Sequence, residues 1–297
     1  MTKYPYNSLD DYLKSHHLDV DALLDDGRGA PFPVKGRIID AVILFTDMTS
    51  FSRRSSELSP VETLIFANNF FAWISAEGLK GRHGIVDKYI GDEMMVVFSK
   101  DFGSEDPLAD AVDAARWMVE EDALGFNPHV GIAAGEVIVG YVGTPLKYDC
   151  SVFGTAVTLA QRCCQIKDTK GSIVLPTSNW AGRTLEQTLT KRKLSSSDGK
   201  EFELEVSWKV FPPRKAKVKH QEFEITELAH DKGVGDDVVT GGVQIPLDGG
   251  PVLTGELATA QGRAKIAFGE LKKAGDYKPK RYPFEPSPES FTKQSKL

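Results

Sequence analysis

Residues 38–175 alternate short apolar runs with amphipathic segments, and this order restricts the possible folds more than any other feature of the chain. Ile38–Phe45 is a largely apolar run bounded by polar residues, which is typical of a buried strand. Pro60–Glu77 then carries apolar residues at helical spacing, and Ser59 before Pro60 fits an N-cap followed by proline at the first helical position. The pattern therefore predicts a strand followed by a helix.

A hairpin and a second helix continue this order. Gly84–Tyr89 and Glu93–Phe98 are two strand candidates joined through Gly91 and Asp92, and a short turn that contains glycine is a hairpin signal. The later elements are predicted as a helix at Leu108–Glu121, strands at His129–Ala134, Glu136–Tyr141 and Ser151–Phe153, a helix at Ala156–Ile166 and a strand at Ser172–Leu175. The order β-α-β-β-α-β, with more strand and helix following, is that of the ferredoxin-like split βαβ arrangement. We predict an α+β fold in which a mostly antiparallel sheet has its helices on one face.

The segments on either side of this core differ from it in composition. We divide the chain into an N-terminal extension (1–37), a core domain (38–228) and a C-terminal extension (229–297) that is partly irregular. Ser8–Leu24 has room for one or two short helices, and the glycines and prolines of Asp25–Lys35 indicate a linker. Towards the C-terminus, the predictions are strands at Glu201–Phe211 and Gln221–Leu228, a helix at Leu257–Leu271, and irregular or disordered chain over Tyr277–Leu297.

Charge and cysteine content narrow the functional classes. The formal net charge of -6 argues against general affinity for nucleic acid or for an anionic membrane surface. The cysteines Cys150, Cys163 and Cys164 form no CxxC pair and cannot all pair within one chain, so we expect buried thiols in a reducing cytoplasm. The N-terminus lacks the apolar core of a signal peptide, and no stretch approaches the roughly 18 apolar residues of a membrane span.

Two aspartates occupy positions that suit metal binding. Asp47 ends the first predicted strand, and Asp92 lies in the hairpin turn. If the first and second strands of the unit are neighbours at the centre of the sheet, the two carboxylates lie together at one end. Such a pair suits Mg²⁺ or Mn²⁺, which prefer oxygen ligands, and the backbone carbonyl of Met48 is a candidate further ligand. Taken singly, each aspartate also fits a structural role, Asp47 as a helix cap and Asp92 as a turn residue.

Four segments, in this order, resemble the motifs of class III nucleotide cyclases: LFTDMTSF, DKYIGDEMMVVF, HVGIAAGEVIVGYVG and SVFGTAVTLAQRCCQ. The resemblance extends over residues 38–228. It implies a lyase that converts a nucleoside triphosphate to a 3′,5′-cyclic monophosphate with two divalent metal ions, Mn²⁺ or Mg²⁺. It also implies a homodimer with shared active sites, because the active sites of this family lie between two subunits.

The resemblance assigns each part of the reaction to a small set of polar side chains. The set consists of Asp47 and Asp92 for the metal ions, Arg162 for the pentavalent phosphorus, Lys88 and Ser151 for the base, and Lys217 or Lys219 for the terminal phosphates. These residue types suit the chemistry, because phosphoryl transfer depends on positioning and on cationic charge around the phosphates. A guanidinium also offers a planar fork of donors to phosphate oxygens.

Two departures from the family pattern bear on the substrate. Thr158 stands where family members usually carry an asparagine that contacts the ribose, and a threonine hydroxyl offers fewer hydrogen bonds. Phe45, Phe51 and Phe153 are candidates to narrow the base pocket, although each also fits the core. These features resemble the stand-alone bacterial pyrimidine cyclases of anti-phage defence. That resemblance implies UTP as the substrate, cyclic UMP as the product, and a separate effector protein that responds to it.

Three alternatives stay open at this point. Lys88 paired with a small hydroxyl residue equally suits an adenylyl cyclase that makes cyclic AMP. A cytidylate cyclase fits the same resemblance. The third alternative is a cyclase-like fold that binds a nucleotide without turnover, which Thr158 favours and the complete set of charged site residues opposes.

Overall fold

The computed structural model describes residues 5–25, 27–29, 31–56, 58–120, 126–144, 147–166, 172–178, 192–195, 201–204, 208–219 and 221–230. The helices are α1 (Leu9–Ser15), α2 (Phe51–Ser55), α3 (Pro60–Trp73), α4 (Pro107–Glu120) and α5 (Thr155–Cys164). The strands are β1 (Val20–Asp25), β2 (Pro31–Met48), β3 (Gly84–Ile90), β4 (Glu93–Phe98), β5 (Pro128–Thr144), β6 (Lys147–Phe153), β7 (Ile173–Pro176), β8 (Arg192–Ser195), β9 (Glu201–Leu204), β10 (Trp208–Val210), β11 (Arg214–Val218) and β12 (Gln221–His230). Both predictions beyond residue 230, the helix at Leu257–Leu271 and irregular chain over Tyr277–Leu297, fall outside the described residues. In the described part of the chain, no helix combines the length and apolar character needed to cross a lipid bilayer.

The main sheet confirms the predicted α+β fold. Its central path runs β10-β12-β7-β5-β2-β4-β3, and β1, β6 and β11 pair with β2, β5 and β12. All of these pairs are antiparallel except β5 with β7. The four strands β5-β2-β4-β3 have the order of the split βαβ arrangement.

In the central path β2 lies between β5 and β4, so the first and second strands of the unit, β2 and β3, are not adjacent as we supposed. The crossover through α3 leads from β2 to β3 and leaves a gap one strand wide. The hairpin turn then returns β4 into that gap, where it pairs with both strands. The turn between β3 and β4 therefore still lies close to the end of β2.

Two strands are longer than the sequence pattern predicts. β5 is one continuous strand, whereas we predicted two, because it pairs with β2 from Pro128 opposite Met48 to Gly140 opposite Gly36. The predicted linker at Asp25–Lys35 is wrong for its second half, which forms the start of β2 and pairs with β1. Of the predicted N-terminal helices only α1 is present, and the chain that follows it is strand.

Helices cover both faces of the sheet, so the prediction of helices on one face is wrong. Along β2, Val42 and Leu44 pack into a cluster with α3 and α4, which we call the α3/α4 cluster. Ile43 and Phe45 point the other way, into a cluster with α1 and α5, the α1/α5 cluster. The reason is visible in the strand itself, since an apolar run without polar alternation needs cover on both sides.

Gly131 on β5 sets the position of α5. A side-chain carbon at Gly131 would overlap the carbonyl oxygen of Ala160 and the backbone nitrogen of Cys164. The helix backbone therefore rests directly on the strand. Because α5 carries Thr158 and Arg162, this contact also determines where two of the predicted site residues lie.

We expect Gly131→Ala to destabilise the fold by about 3 kcal/mol, because backbone atoms of α5 have to move to admit a methyl group. Gly81→Ala is the matched control, since no atom lies within 4 Å of its added carbon and φ there is 73°. The control variant loses only the stability that an alanine costs in the left-handed backbone conformation, about 1 kcal/mol. Urea denaturation measures both values, and equal losses in the two variants would show that α5 does not rest on Gly131.

Candidate functional site

Asp47 and Asp92 meet at one end of the sheet. Asp47 is the penultimate residue of β2, and Thr46 beside it pairs with Met94 of β4. Asp92 lies in the turn directly before β4, so the register places it beside Asp47. Asp47 is close enough to Asp92 to raise the pKa of Asp92 through a hydrogen bond and through its charge. The structure thus brings together the two aspartates that the sequence predicts as metal ligands.

The pKa of Asp92 is raised from 3.8 to about 7. Burial is the largest cause, followed by the hydrogen bond with Asp47 and the charge of Asp47. Two carboxyl groups in contact share a proton, because the repulsion between two adjacent negative charges disfavours ionisation of both groups at once. A divalent cation between them removes that repulsion and binds to oxygen ligands, so the residues present fit Mg²⁺ or Mn²⁺.

Further donor atoms surround Asp47 that the sequence analysis missed. The candidate ligand atoms of Asp47, Glu93 and Cys164 all lie within 4.8 Å of one another. Glu93 contacts the side-chain amide of Gln161 at 3.4 Å, and the Cys164 thiol donates to the carbonyl of His129 at 3.2 Å. For hard cations the carboxylate of Glu93 is the relevant addition. Its signal in the sequence is its position next to Asp92, whereas Cys164 comes close only through the packing of α5.

A second polar group forms where β3 meets β6. Lys88 of β3 donates a hydrogen bond from Nζ to Oγ of Ser151, which is buried on β6. The same Nζ lies 5.9 Å from the ring centroid of Phe153, whose side chain is 46% exposed. The structure therefore brings together Lys88, Ser151 and Phe153, three of the residues that the resemblance links to the base.

Strand packing explains this meeting of β3 and β6. Val137 and Val139 of β5 and Val152 of β6 belong to the α1/α5 cluster. Ile85 of β3 and Met95 of β4 belong to the same cluster. The far half of β5 therefore carries β6 over to β3, and apolar burial holds the two strands in place.

The sequence analysis also missed Asp87. Its side chain is only 1% exposed, accepts a hydrogen bond from Ser151 Oγ at 3.1 Å, and lies 3.3 Å from Lys88 Nζ. In a regular strand, residues 87 and 88 would point to opposite faces. A shift of register between Val86 and Lys88 brings both side chains to Ser151, and the simple alternation pattern does not reveal such a bulge.

Arg162 and Thr158 lie four residues apart on α5. Thr158 is exposed, and Arg162 is half-buried. Among the described residues, Nη1 of Arg162 has no hydrogen-bond partner, and no ion pair joins Arg162 to Asp47 or Asp92. Within one chain the arginine predicted for the phosphorus is therefore not paired with the carboxylates predicted for the metal.

Lys217 lies towards the other end of the sheet from Asp47. It is exposed on β11 and pairs with Glu222 of β12. β12 joins β7, which runs parallel to β5, and this register carries residue 222 away from the Asp47 end. Lys219 follows in the turn after β11, with φ 56°. The structure thus brings neither lysine to Asp47 of the same chain.

Two of the three phenylalanines proposed for the base pocket pack elsewhere. Phe45 is 2% exposed inside the α1/α5 cluster, so its predicted role in narrowing the pocket is wrong. Phe51 stacks on Phe66 with ring centroids 6.2 Å apart and packs against the α3/α4 cluster. Of the three, Phe153 alone contacts Lys88.

Comparison with known proteins identifies related chains. The family described as Adenylate and Guanylate cyclase catalytic domain matches residues 34–203. An adenylate cyclase of Anabaena cylindrica is 28% identical over 136 residues, covering 40% of this chain and 26% of that protein. An uncharacterized protein of Mycobacterium tuberculosis is 25% identical over 142 residues, covering 47% of this chain and 26% of that protein. The chain thus spans about a quarter of the length of these relatives.

A solved structure shares the fold. The crystal structure of the adenylyl cyclase CyaB from P. aeruginosa superposes with a TM-score of 0.50 and 17% sequence identity. The match covers 66% of this chain and 97% of that chain. At this level of identity the likeness establishes the fold of the described core.

The raised pKa of Asp92 predicts a pH-dependent gain in stability for Asp92→Asn in metal-free protein. The unfolded carboxyl ionises near pH 4, whereas the folded one keeps its proton to about pH 7. The wild-type protein therefore loses stability as the pH rises through this window, and the amide does not. We expect a gain of about 1 kcal/mol at pH 8, allowing for solvent screening of a half-exposed pair, and none near pH 4.

Chemical denaturation in EDTA at both pH values measures this gain. Asp149→Asn is the control, because Asp149 is 54% exposed and forms a surface ion pair with Lys147. A gain for Asp92→Asn that is the same at pH 4 and pH 8 would mean that the two carboxyl groups are not in contact.

Proposed function

The chain belongs to the adenylate and guanylate cyclase catalytic domain family, and from that membership we propose that it converts UTP to cyclic UMP and pyrophosphate. The observation that carries a cyclase reaction is the pair of hydrogen-bonded carboxyl groups, Asp47 and Asp92, at the end of β2. We take residues 38–228 as the catalytic domain, with 1–37 and 229–297 as extensions. We place the enzyme in the cytoplasm, with a separate effector protein that responds to the product in antiviral defence.

Asp47 and Asp92 would hold two divalent ions, with the carbonyl of Met48 as a further ligand. When bound, Mg²⁺ or Mn²⁺ lowers the pKa of the ribose 3′-hydroxyl and neutralises charge on the leaving pyrophosphate. The protein contributes an oxygen-rich corner at the rim of a rigid sheet, which fixes the carboxylates before the substrate arrives. Asp92 would hold the ion in its ionised form, so ion binding would release the proton that the raised pKa of Asp92 retains.

Lys88, Ser151 and Phe153 form the proposed contact with the base. Lys88 Nζ donates to a base carbonyl or ring nitrogen, and Ser151 lies beside it as the second polar contact. The exposed ring of Phe153 offers a stacking surface next to both. That ring occupies part of the space beside Lys88, which supports a one-ring base over a purine.

A second candidate is an adenylyl cyclase. The relative from Anabaena cylindrica is named an adenylate cyclase, and a lysine with a hydroxyl partner also fits the N1 and amino edge of adenine. A cytidylate cyclase is the remaining option within the pyrimidine class. The three differ in product, not in metal chemistry.

We propose that two copies of the chain share each active site. Arg162 has a buried nitrogen without a hydrogen-bond partner among the described residues, and it lies one turn along α5 from the exposed Thr158. Lys217 lies towards the opposite end of its own sheet from Asp47. In a two-fold dimer, Arg162, Thr158 and Lys217 of one copy face the carboxylates of the other, and two such sites form.

Incubation of the purified protein with each of the four triphosphates and Mn²⁺, followed by mass spectrometry of the products, tests the substrate. We expect cyclic UMP as the dominant product. Dominant cyclic AMP or cyclic CMP would replace uridylate specificity with one of the alternatives. Absence of any cyclic product, with nucleotide binding retained, would contradict the cyclase reaction itself.

Replacement of Asp47 or Asp92 by Ala is expected to lower kcat by roughly a thousandfold or more, because the ions lose one of the two aspartate ligands that position them. Circular dichroism should show an intact fold, since neither side chain belongs to the apolar clusters. Asp149→Ala is the control and should keep wild-type activity. Full activity in either site variant contradicts the metal assignment.

Mixing Asp47→Ala chains with Arg162→Ala chains tests the shared site. Half of the re-formed dimers are mixed, and each mixed dimer has one intact site of two. About a quarter of wild-type activity should therefore return from two inactive preparations. If the mixture stays inactive although mixed dimers are present, the two residues act within the same chain.

A further inference from the structure

Asp87 is a buried carboxylate at a break in the regular structure of β3. The pairing of β3 with β4 shifts register between Val86 and Lys88, so Asp87 is the additional residue of a β-bulge. Bulges re-aim side chains, and this one turns the Asp87 carboxylate towards β6. The side chain is 1% exposed, which is unusual for an aspartate that no helix terminus or metal explains.

Among the described residues, the hydrogen bond and the ion pair of Asp87 are made with Ser151 and Lys88, two of the residues proposed to touch the base. Ser151 Oγ donates to Oδ2 at 3.1 Å, and Lys88 Nζ lies 3.3 Å from the same oxygen. The other oxygen, Oδ1, is buried and has no hydrogen-bond partner among the described residues. Burial raises the pKa of Asp87, while Lys88 and Ser151 oppose that rise.

The hydrogen bonds of Ser151 and Lys88 determine which donors and acceptors remain for a ligand. A serine hydroxyl has one hydrogen to donate and two lone pairs that accept. Ser151 gives its hydrogen to Asp87 and accepts a hydrogen bond from Lys88, so one lone pair is left. Lys88 has three N–H groups, of which Ser151 and Asp87 occupy two. The pair therefore presents one donor and one acceptor to a ligand.

We infer that Asp87 is a specificity-determining residue, which fixes the Ser151 hydroxyl as an acceptor beside the Lys88 donor and so sets the polarity that the base must match. This inference rests on the proposed function, because it assumes that Lys88 and Ser151 contact the base. A base edge fits when an exocyclic acceptor faces Lys88 and a ring N–H faces Ser151, as O4 and N3–H of uracil do, whereas cytosine presents an amino group and an unprotonated ring nitrogen at these positions. Asp87 itself acts as a positioning residue behind Ser151.

Rigid polarity is a means of discrimination. A hydroxyl that rotates freely accepts or donates as the ligand requires, so it tolerates either group at that position. A hydroxyl whose hydrogen is held by a buried carboxylate leaves a mismatched base with unpaired polar groups, and such mismatches carry large penalties. Loss of Asp87 is therefore expected to reduce selectivity more than it reduces turnover.

Asp87→Asn tests this inference, with Asp149→Asn as the matched control on the same strand as Ser151. The amide has nearly the same shape but can donate to Ser151, which releases the hydroxyl hydrogen towards the base. We expect the ratio of kcat/KM between UTP and CTP, whose bases have the same size and opposite polarity on this edge, to fall roughly tenfold. The control should keep the wild-type ratio, since Asp149 is 54% exposed in a surface ion pair.

A double-mutant cycle separates positioning from a general structural effect. In a Ser151→Ala background, Asp87→Asn should leave the base ratio unchanged, because the hydroxyl through which it acts is absent. An equal fall in both backgrounds overturns the inference. Ser151→Ala alone must also lower the ratio, so a wild-type ratio in that variant overturns the inference even if Asp87→Asn does not fold.

Binding measurements distinguish failure of this inference from failure of the proposed function. Calorimetry with the four non-hydrolysable triphosphate analogues gives the same ratios as Kd values, without turnover. A wild-type protein that binds selectively but forms no product contradicts the cyclase reaction and leaves these ratios to decide the role of Asp87. Unchanged Kd ratios in Asp87→Asn overturn the inference, whatever the activity.

Discussion

Two carboxyl groups that the fold holds in contact at the end of β2 are the constraint on which the rest of the site depends. Asp47 and Asp92 come from a strand and from a hairpin turn, and the pairing of β2 with β4 brings that turn to the end of β2. The result is a pKa of about 7 for Asp92, an unfavourable state in the absence of a cation. Groups with strongly shifted pKa values concentrate at functional sites, because a bound ion or substrate supplies the compensating charge that the isolated protein lacks.

The position of α5 links this corner to the remainder of the proposed site. Close contact with Gly131 brings Cys164 beside Asp47, while Thr158 lies on the exposed side of the same helix. One helix thus packs against its own sheet, while the buried Nη1 of its Arg162 has no hydrogen-bond partner among the described residues. The helix α5 would therefore pack against its own sheet and supply Arg162 to the active site of a second copy of the chain.

Local patterns in the sequence predicted the elements better than their arrangement. The continuous apolar run Ile38–Phe45 indicates a strand buried on both faces, and Gly91 with Asp92 indicates a tight turn. The core strands and the position of Asp92 could therefore be predicted from the sequence. The contacts of Cys164 with Asp47 depend on tertiary packing, which no local period encodes. Asp87 was missed because a bulge reverses the alternation from which side-chain direction is read.

A crystal structure with Mn²⁺ and a non-cyclisable triphosphate tests the central claim most directly, because the anomalous scattering of manganese distinguishes the ion from water. The account predicts manganese within about 2.2 Å of an oxygen of Asp47 and of Asp92, with the α-phosphate in the same coordination shell. Manganese bound elsewhere, or two carboxyl groups too far apart to share an ion in the presence of the nucleotide, would contradict the account.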